Sequence, residues 1–358
     1  MGMYYITLAS SFICSFLSKL SDRKKYRLMS LLWIILVAVI LILFAGLRSG
    51  IGDTGMYKHT YELFVNNPAH IKESGDYGFA LINLLLTKIS SNPQTLVFVV
   101  AMITQVCIIF VFYKYRSAME LQILMYITSG YFTVTMNGMR QCLAASLIFL
   151  CTPLLIKGDF KKYFILILLI STIHQSALFM IPIFFIVRMK PWSLQFYAII
   201  FFAALSVVFY DAISPYIFKV LESTQYGRYS QFQEGGSSFL RVIVNLVPLG
   251  FSFVKKDKLK EKWPESDIFV NISLVNAVFV ALGTANWIFN RISIYLQLYN
   301  FILLPFILEK VLKDKDKRFF YFMFIICYLL FFYSIQVLVL NLKYESIVNI
   351  KDIFYYTK

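Results

Sequence analysis

Eleven apolar runs recur along the whole chain, and each is long enough, or nearly long enough, to cross a membrane. They cover residues 3–17, 28–47, 95–113, 119–136, 139–156, 163–187, 192–210, 239–254, 268–282, 288–308 and 319–340. A shorter run over residues 77–90 is amphipathic. Lipid leaves a chain only helices or closed barrels, and these runs are continuous rather than alternating. The pattern therefore predicts an all-α, polytopic bundle of about 11–12 transmembrane helices plus a short re-entrant or interfacial helix.

The composition excludes the other broad classes of protein. Apolar residues make up 59% of the 358 residues, charged residues 15%, and the mean hydropathy is +0.71. A soluble domain carries about 25% charged residues, and neither such a domain nor a disordered chain is this apolar. The net charge of +15 sits mostly in short clusters between apolar runs. Such clusters are typical of cytoplasmic loops that face anionic lipid headgroups, so no nucleic-acid partner is expected.

The basic clusters also predict an orientation. They cover residues 19–27, 114–116, 157–162, 188–190, 255–262 and 310–318. Placing all of them in the cytoplasm requires run 77–90 to lie flat or dip in, and run 163–187 to form a hairpin. Alternatively, run 163–187 is one long tilted span and run 77–90 crosses, which inverts the segment between them. The first arrangement predicts one transmembrane domain over residues 1–358, with extracytoplasmic loops at about 48–76 and 211–238.

A glycine-rich stretch directly after a span is the first candidate site. It covers residues 46–57 and reads GLRSGIGDTGMY. Its glycines, Gly52 among them, let the backbone fold tightly and present N–H groups to an anion. Arg48 can bind phosphate through two N–H groups, and Asp53 is a candidate base or an orienter of Arg48. The alternative is an ordinary turn with Arg48 at the lipid headgroups.

Two further polar stretches interrupt apolar runs. Residues 137–141 read NGMRQ and place Arg140 at a helix start, where the helix N–H groups reinforce its positive field. Arg140 could instead extend to the outer headgroups. Residues 171–176 read STIHQS, and so many polar neighbours indicate a helix break or a wet cavity. His174 is there a candidate general base, unless it is a packed, hydrogen-bonded residue.

The second half of the chain holds the remaining candidates. Residues 286–295 read NWIFNRISIY and place Arg291 at the mouth of a span, with Tyr295 one turn further on. Arg241 occupies an equivalent position at the start of run 239–254. Arg228 lies in the aromatic stretch YGRY, which could stack on sugar faces or could form an interfacial aromatic belt.

Several familiar chemistries have no signature in the sequence. There is no Walker loop, kinase motif, G-x-S-x-G elbow, H-E-x-x-H or D-x-D stretch. The five Cys lie in apolar runs, and the three His are far apart. The sequence thus predicts neither a metal site nor a cofactor. Arginines that gather on the outer side without an ATP motif point to a large, polyanionic, lipid-linked ligand.

The ordered set of motifs resembles the Wzy-type polysaccharide polymerases, in their EpsG-like branch. The resemblance extends over residues 47–308 and is carried by Arg48, Gly52, Asp53 and Tyr57; by residues 76–79 (DYGF); by Asn137, Arg140, Gln141 and Ala144; by residues 160–162 (FKK) and 174–178 (HQSAL); and by residues 291–295 (RISIY).

The resemblance implies an inverting glycosyltransferase of the bacterial cytoplasmic (inner) membrane. Such an enzyme joins undecaprenyl-diphosphate-linked oligosaccharide repeat units on the extracytoplasmic face, without a nucleotide sugar or metal. The product would be O-antigen, capsule or exopolysaccharide, and a chain-length regulator and a flippase of the same pathway are possible partners. The expected catalytic residues are Asp53, His174, Arg140 and Arg291. The expected substrate-binding residues are Arg48, Gly52, Tyr57, Asn137, Gln141, Arg228, Arg241 and Tyr295.

Three other functions remain open from the sequence alone. A flippase for lipid-linked oligosaccharides would carry charges along a central cavity, whereas here they cluster at helix ends. A membrane O-acyltransferase would have an early His–Arg pair on one helix, and none is visible. An ion or solute transporter usually shows broken helices and repeat symmetry, and neither is clear in the sequence.

Overall fold

A computed structural model describes residues 2–22, 26–69, 75–221 and 236–348, and within these ranges it confirms the predicted all-α bundle. The α-helices are α1 (Gly2–Leu20), α2 (Arg27–Gly46), α3 (Thr54–Asn66), α4 (Tyr77–Thr87), α5 (Gln94–Lys114), α6 (Met119–Thr128), α7 (Tyr131–Asn137), α8 (Met139–Leu150), α9 (Thr152–Lys157), α10 (Phe160–Ser171), α11 (Met180–Ile186), α12 (Leu194–Val208), α13 (Tyr210–Leu221), α14 (Phe239–Val254), α15 (Lys256–Lys262), α16 (Ser266–Leu282), α17 (Asn290–Ser293), α18 (Gln297–Phe306) and α19 (Asp314–Phe332). Short 3-10 helices cover Gln175–Phe179 and Trp287–Phe289. π-Helical turns cover Ile307–Val311 and Tyr333–Val339.

Fewer helices are long enough to cross a membrane than the predicted 11–12. In the described ranges there are four, namely Gly2–Leu20, Arg27–Gly46, Gln94–Lys114 and Asp314–Val339. Two bent pairs raise the number to six, and five other apolar helices of 10–17 residues are shorter than a full span. The chain is thus a multi-pass membrane protein in which many predicted spans are divided into shorter helices.

The divisions fall where the backbone leaves helical geometry. Run 119–136 is split between α6 and α7 at Gly130, whose φ of +86° is favourable only for glycine. Run 163–187 is interrupted between α10 and the 3-10 helix that begins at Gln175. The predicted loop 48–76 contains α3, which buries Tyr57, Tyr61 and Phe64 along one face. This helix is amphipathic rather than continuously apolar, so a search for apolar runs misses it.

Two compact units make up the chain. The first unit comprises Met1–Leu154, Asp159–Leu178 and Leu312–Lys358. In it, α1 packs on α2 and α6, α2 packs on α5, and α5 packs on α8. Helices α3 and α4 lie against each other and against α5, while α10 lies against α4 and α8.

The second unit comprises Leu155–Gly158 and Phe179–Val311. Its central helix is α16, which packs against α12, α14, α17 and α18. Polar side chains link these helices internally: the Asn276 amide donates to Asn245 Oδ1 at 2.8 Å, and the Asn271 amide donates to the Val187 carbonyl at 3.0 Å. The single transmembrane domain proposed for residues 1–358 stays a prediction.

The two ends of the first unit carry different chemistry. At one end, which we call the basic end, Lys19 binds Glu120 at 2.6 Å and Arg116 binds Asp22 at 3.1 Å. Arg116 follows the last residue of α5 closely. At the opposite end, the first residue of that helix, Gln94, donates to the Gly46 and Arg48 carbonyls at 2.7 and 3.1 Å. Because α5 has 21 residues, about 30 Å separates the two ends.

Candidate functional site

A buried carboxylate, Asp76, is the centre of the candidate site. Its Oδ2 atom accepts a hydrogen bond from Arg140 Nη1 at 2.8 Å and lies 3.5 Å from His174 Nδ1. Its other oxygen, Oδ1, accepts from the backbone N–H of Gln175 at 3.3 Å. We call Asp76, Arg140 and His174 the carboxylate cluster. An acid, a cation and an imidazole that are far apart in the sequence thus meet around one side chain.

Local backbone geometry positions each member of the cluster. Asp76 directly precedes α4, Arg140 lies in the first turn of α8, and His174 lies in the break after α10. The break is held to α4, because the Gly78 N–H donates to the Thr172 carbonyl at 2.7 Å. A Cβ atom at Gly78 would overlap Thr172 Oγ1 and lie 2.8 Å from the Thr172 carbonyl carbon. Only glycine permits this approach.

A second contact joins α8 to the same break. Gln141 Nε2 donates to Ser176 Oγ at 3.3 Å, and both side chains are buried. Arg140 therefore contacts Asp76, while the neighbouring Gln141 contacts the stretch that begins at His174. The core under this contact contains Tyr57, Phe79 and Met139, and it packs on the first turns of α5. The carboxylate cluster consequently lies at the end of the first unit that is opposite to the basic end.

The carboxylate favours one tautomer of a neutral His174 ring. A carboxylate can only accept a hydrogen bond, so the proton of a neutral His174 ring lies on Nδ1, facing Asp76. Nε2 then carries a lone pair. This atom is buried and has no hydrogen-bond partner among the described residues. The Nε2 atom can therefore accept a proton from a bound molecule.

Arg140 combines a buried salt bridge with an accessible edge. About a third of its side chain, 34%, is exposed, compared with 7% for Asp76. Its Cζ atom lies 5.9 Å from the ring centroids of both Tyr57 and Phe79, so two aromatic rings support the guanidinium. Its Nε atom has no hydrogen-bond partner among the described residues. Because Nε is itself buried, an anionic ligand would meet the exposed third of the Arg140 side chain.

The glycine-rich stretch is tied to the start of α8. Asn137 Oδ1 accepts a hydrogen bond from the Asp53 backbone N–H at 2.9 Å. Gly52 has a φ of +50°, and a Cβ atom there would overlap the Asn137 amide. Two motifs that the sequence flagged separately are thus in direct contact. The Asp53 side chain itself is exposed, at the start of α3.

Arg48, predicted either to bind phosphate or to lie at the lipid headgroups, is a buried residue in the structure. The residue is only 1% exposed, and its guanidinium donates to Thr54 Oγ1 at 2.9 Å and to the Ala45 carbonyl. The last carbonyls of α2 attract a cation, which explains this placement. Burial lowers the pKa of Arg48 to about 10, so the group stays protonated at neutral pH.

The C-terminal part of the first unit covers Arg48. Ser346 forms an antiparallel bridge with Arg48, and the Ser49 N–H donates to the Glu345 carbonyl at 2.9 Å. The Tyr344 ring stacks on Phe44 at a centroid distance of 4.0 Å. Arg48 thus lies inside the packed end of the bundle rather than on a ligand-facing surface.

The remaining predicted residues belong to the second unit or lie outside the described residues. Arg241 is half-buried in the first turn of α14, and its carbonyl accepts from the Asn245 amide at 2.9 Å. The Arg291 guanidinium lies 5.0 Å above the Trp287 ring centroid. Tyr295 is fully buried. Arg228 lies outside the described residues, as does the rest of the YGRY stretch.

Within the described ranges, no group of three or more His, Cys, Asp or Glu side chains is arranged to hold a metal ion.

Asp76 belongs to the DYGF motif, but nothing in the sequence assigns it a role. The residue directly precedes an amphipathic run, so it read as the end of a polar loop. The available signal was an ionisable residue at the start of a helix at the membrane boundary, which is a costly position. Gly78 was also given no role, and a glycine beside a charged helix start indicates a close backbone approach.

These features define the class of the protein. It is a helical, multi-pass membrane protein with a buried Asp–His–Arg cluster at the end of its first unit that is opposite to the basic end. The family model of the EpsG family matches residues 31–346, so the chain belongs to the EpsG family. All three residues of the cluster lie inside the matched range. No curated protein and no solved structure matches the chain.

Membership confirms the resemblance that the motifs suggested, because EpsG-like polymerases are Wzy-type. It also supports a function of the polysaccharide-polymerase type in general.

Proposed function

We propose that the protein joins undecaprenyl-diphosphate-linked oligosaccharide repeat units into a surface polysaccharide on the outer face of the bacterial cytoplasmic membrane. The observation that carries the proposal is the position of Asp76, whose carboxylate holds both a potential base, His174, and a potential anion-binding group, Arg140. A glycosyl transfer from a lipid diphosphate needs both groups near one reacting centre.

The chemistry is a single displacement at the anomeric carbon of the donor repeat unit. The acceptor sugar hydroxyl gives its proton to His174 Nε2 while its oxygen forms the new glycosidic bond. The bond from the anomeric carbon to the diphosphate oxygen breaks, and its electron pair leaves with the lipid diphosphate. Arg140 stabilises the negative charge that develops there. One displacement inverts the configuration, and cleavage of the glycosyl diphosphate supplies the energy.

His174 fits the role of base better than Asp53. The Asp53 carboxylate is exposed and lies at the start of α3, whereas His174 is buried beside Asp76. A base in a water-poor site is protected from competing proton exchange. Asp53 and Asn137 then shape the loop beside the cluster, through the hydrogen bond that joins them.

The side of the membrane is inferred from the two ends of the first unit. Lys19 and Arg116 lie at the basic end, and basic residues favour the cytoplasm. The carboxylate cluster is about 30 Å away along α5, which is the thickness of a bilayer's hydrocarbon core. This separation supports an extracytoplasmic reaction. Arg241, Arg291 and Arg228 are further proposed contacts to the long anionic substrate. A chain-length regulator and a flippase of the same pathway are proposed partners.

The test is polymerisation in proteoliposomes. Purified protein would be supplied with lipid-linked repeat units extracted from a strain of the host that lacks this protein, in the presence of a metal chelator. We expect a ladder of lengthened glycans on gels and release of the lipid diphosphate. A flippase would move the lipid-linked unit across the bilayer without lengthening it, and an O-acyltransferase would modify it without a ladder. Either result would contradict the proposal, and loss of the ladder with chelator would contradict metal independence.

A further inference from the structure

We propose, on the basis of this function, that Asp76 is an exchangeable counter-ion: the carboxylate occupies Arg140 until the donor's diphosphate replaces it, and it then orients His174 alone. The inference deepens the proposed function, because it makes proton acceptance by His174 depend on a bound donor.

The first support is the sharing of one oxygen atom. Both Arg140 Nη1 and His174 Nδ1 face Asp76 Oδ2, at 2.8 Å and 3.5 Å. The first distance is that of a charge-assisted hydrogen bond, while the second is longer than a normal one. In the absence of ligand, therefore, Arg140 has the stronger hold on the carboxylate, and His174 is only loosely oriented.

The second support is the difference in exposure across the salt bridge. Asp76 is almost fully enclosed, whereas 34% of the Arg140 side chain is exposed. A ligand from outside thus reaches the guanidinium and not the carboxylate.

The third support is the chemistry of the competitor. A diphosphate carries more negative charge than one carboxylate, and its oxygens match the planar donor edge of arginine. It therefore competes well for Arg140. Once Arg140 turns to the diphosphate, Oδ2 is available to His174 Nδ1, while the Gln175 N–H continues to hold Oδ1. The base becomes fully oriented only when the leaving group is in place.

Asp76→Asn separates this role from a purely structural one. The Gln175 N–H would keep the amide oxygen at the Oδ1 position, so the amide NH₂ would replace Oδ2. That NH₂ group repels Arg140, which leaves the guanidinium free for the ligand. It also donates to His174 Nδ1 and shifts the ring proton to Nε2, which then cannot accept a proton.

We therefore expect Asp76→Asn to bind inorganic pyrophosphate several-fold more tightly by calorimetry in detergent. In the polymerisation assay its KM for the lipid-linked donor should fall while kcat falls at least tenfold. Asp76→Glu keeps the negative charge and should keep the pyrophosphate affinity of the wild type. Glu120→Gln, which neutralises a second buried carboxylate among the described residues of this unit, should change neither quantity.

Unchanged or weaker pyrophosphate binding by a folded Asp76→Asn protein would overturn the inference, and thermal unfolding would establish that the variant is folded. If Asp76→Asn does not fold, wild-type protein with 15N-labelled histidine decides the question. Excess pyrophosphate should shift the His174 Nδ1–H proton signal downfield, because its hydrogen bond to Asp76 shortens once Arg140 is released. An unchanged signal would overturn the inference. A failure of the proposed function is seen separately, as wild-type protein that binds pyrophosphate but makes no ladder.

Discussion

Two buried carboxylates, Asp76 and Glu120, lie at opposite ends of the first unit, and each is paired with a cation. Glu120 is fully buried in the first turn of α6, where Lys19 binds it at 2.6 Å and the Tyr321 hydroxyl at 3.1 Å. Asp76 is buried to nearly the same degree and binds Arg140 at 2.8 Å. By distance and burial alone, the two pairs are equivalent.

The difference lies in the third partner. Glu120 is completed by a phenol that donates a hydrogen bond and joins α6 to α19. Asp76 is completed by an imidazole whose other nitrogen has no partner among the described residues. A buried ion pair alone is therefore weak evidence for function. It is also weak evidence for a contribution to stability. A buried ion pair beside an unused proton acceptor is a candidate active site.

The largest effect is expected from His174→Gln, which keeps a hydrogen-bond donor toward Asp76 but removes the proton acceptor. Polymerisation should fall by about 10²–10⁴-fold, the usual contribution of general base catalysis, while the protein still reaches the membrane. His59→Gln is the matched control, because His59 lies in α3 with 72% of its side chain exposed. Polymerisation at the normal rate by His174→Gln would move the search for the base to Asp53 and its loop.

A smaller effect is expected from Arg140→Lys. The charge is kept, but the planar donor edge that serves a carboxylate and a diphosphate together is lost. We expect polymerisation to fall by roughly ten- to a hundredfold, mainly because the negative charge on the leaving group is stabilised less well. Arg116→Lys is the control, since Arg116 binds Asp22 through Nε and Nη2 at 3.2 and 3.1 Å at the basic end. Equal losses in the two variants would show that the two ends are not functionally different.

Gly78→Ala tests the geometry rather than the chemistry of the cluster. The new Cβ would push α4 away from Thr172 and so move Asp76 relative to His174. Overpacking of this kind costs about 1–3 kcal/mol, and polymerisation should fall several-fold. Gly55→Ala is the matched control, because a Cβ atom at Gly55 meets nothing within 4 Å. If both variants behave like the wild type in thermal unfolding and in glycan ladders, the close approach at Gly78 is not required.

The helical fold was predictable because an apolar run of about 20 residues has few other solutions in lipid. The positions at which the predicted spans are divided into shorter helices were not predictable. The left-handed turn at Gly130 and the break before Gln175 depend on neighbouring helices, and neither stands out in a continuously apolar segment. Counting apolar runs consequently overestimated the number of full-length spans.

The candidate site was predictable only in its separate parts. Arg140 and His174 attracted notice because polar residues inside apolar runs are costly. Their common partner is 64 and 98 residues away from them, and no local pattern encodes such a pairing. The burial of Arg48 depends on Ser346, about 300 residues later, which explains why the sequence misplaced it.

The smallest effect on activity is expected from Glu120→Gln, and it is the sharpest test of the comparison. The substitution keeps the shape of the side chain and its hydrogen bond to Tyr321, and it removes a charge whose Oε2 atom has no partner among the described residues. Lys19 is 32% exposed, so water can solvate it when the carboxylate becomes an amide. Stability should therefore fall by only about 1 kcal/mol, as for the loss of one ordinary hydrogen bond.

Lys19→Ala should cost more, about 3–5 kcal/mol, because it leaves the fully buried Glu120 charge without its counter-ion. Thermal unfolding in detergent measures this difference, and the midpoint temperature of Glu120→Gln should be higher than that of Lys19→Ala. Both variants should polymerise within about twofold of the wild type once the amount of folded protein is equalised, since neither residue lies near the carboxylate cluster. If Glu120→Gln loses polymerisation as fully as Asp76→Asn, the pair at the basic end takes part in the reaction, and the unused nitrogen of His174 is not what distinguishes a site from a scaffold.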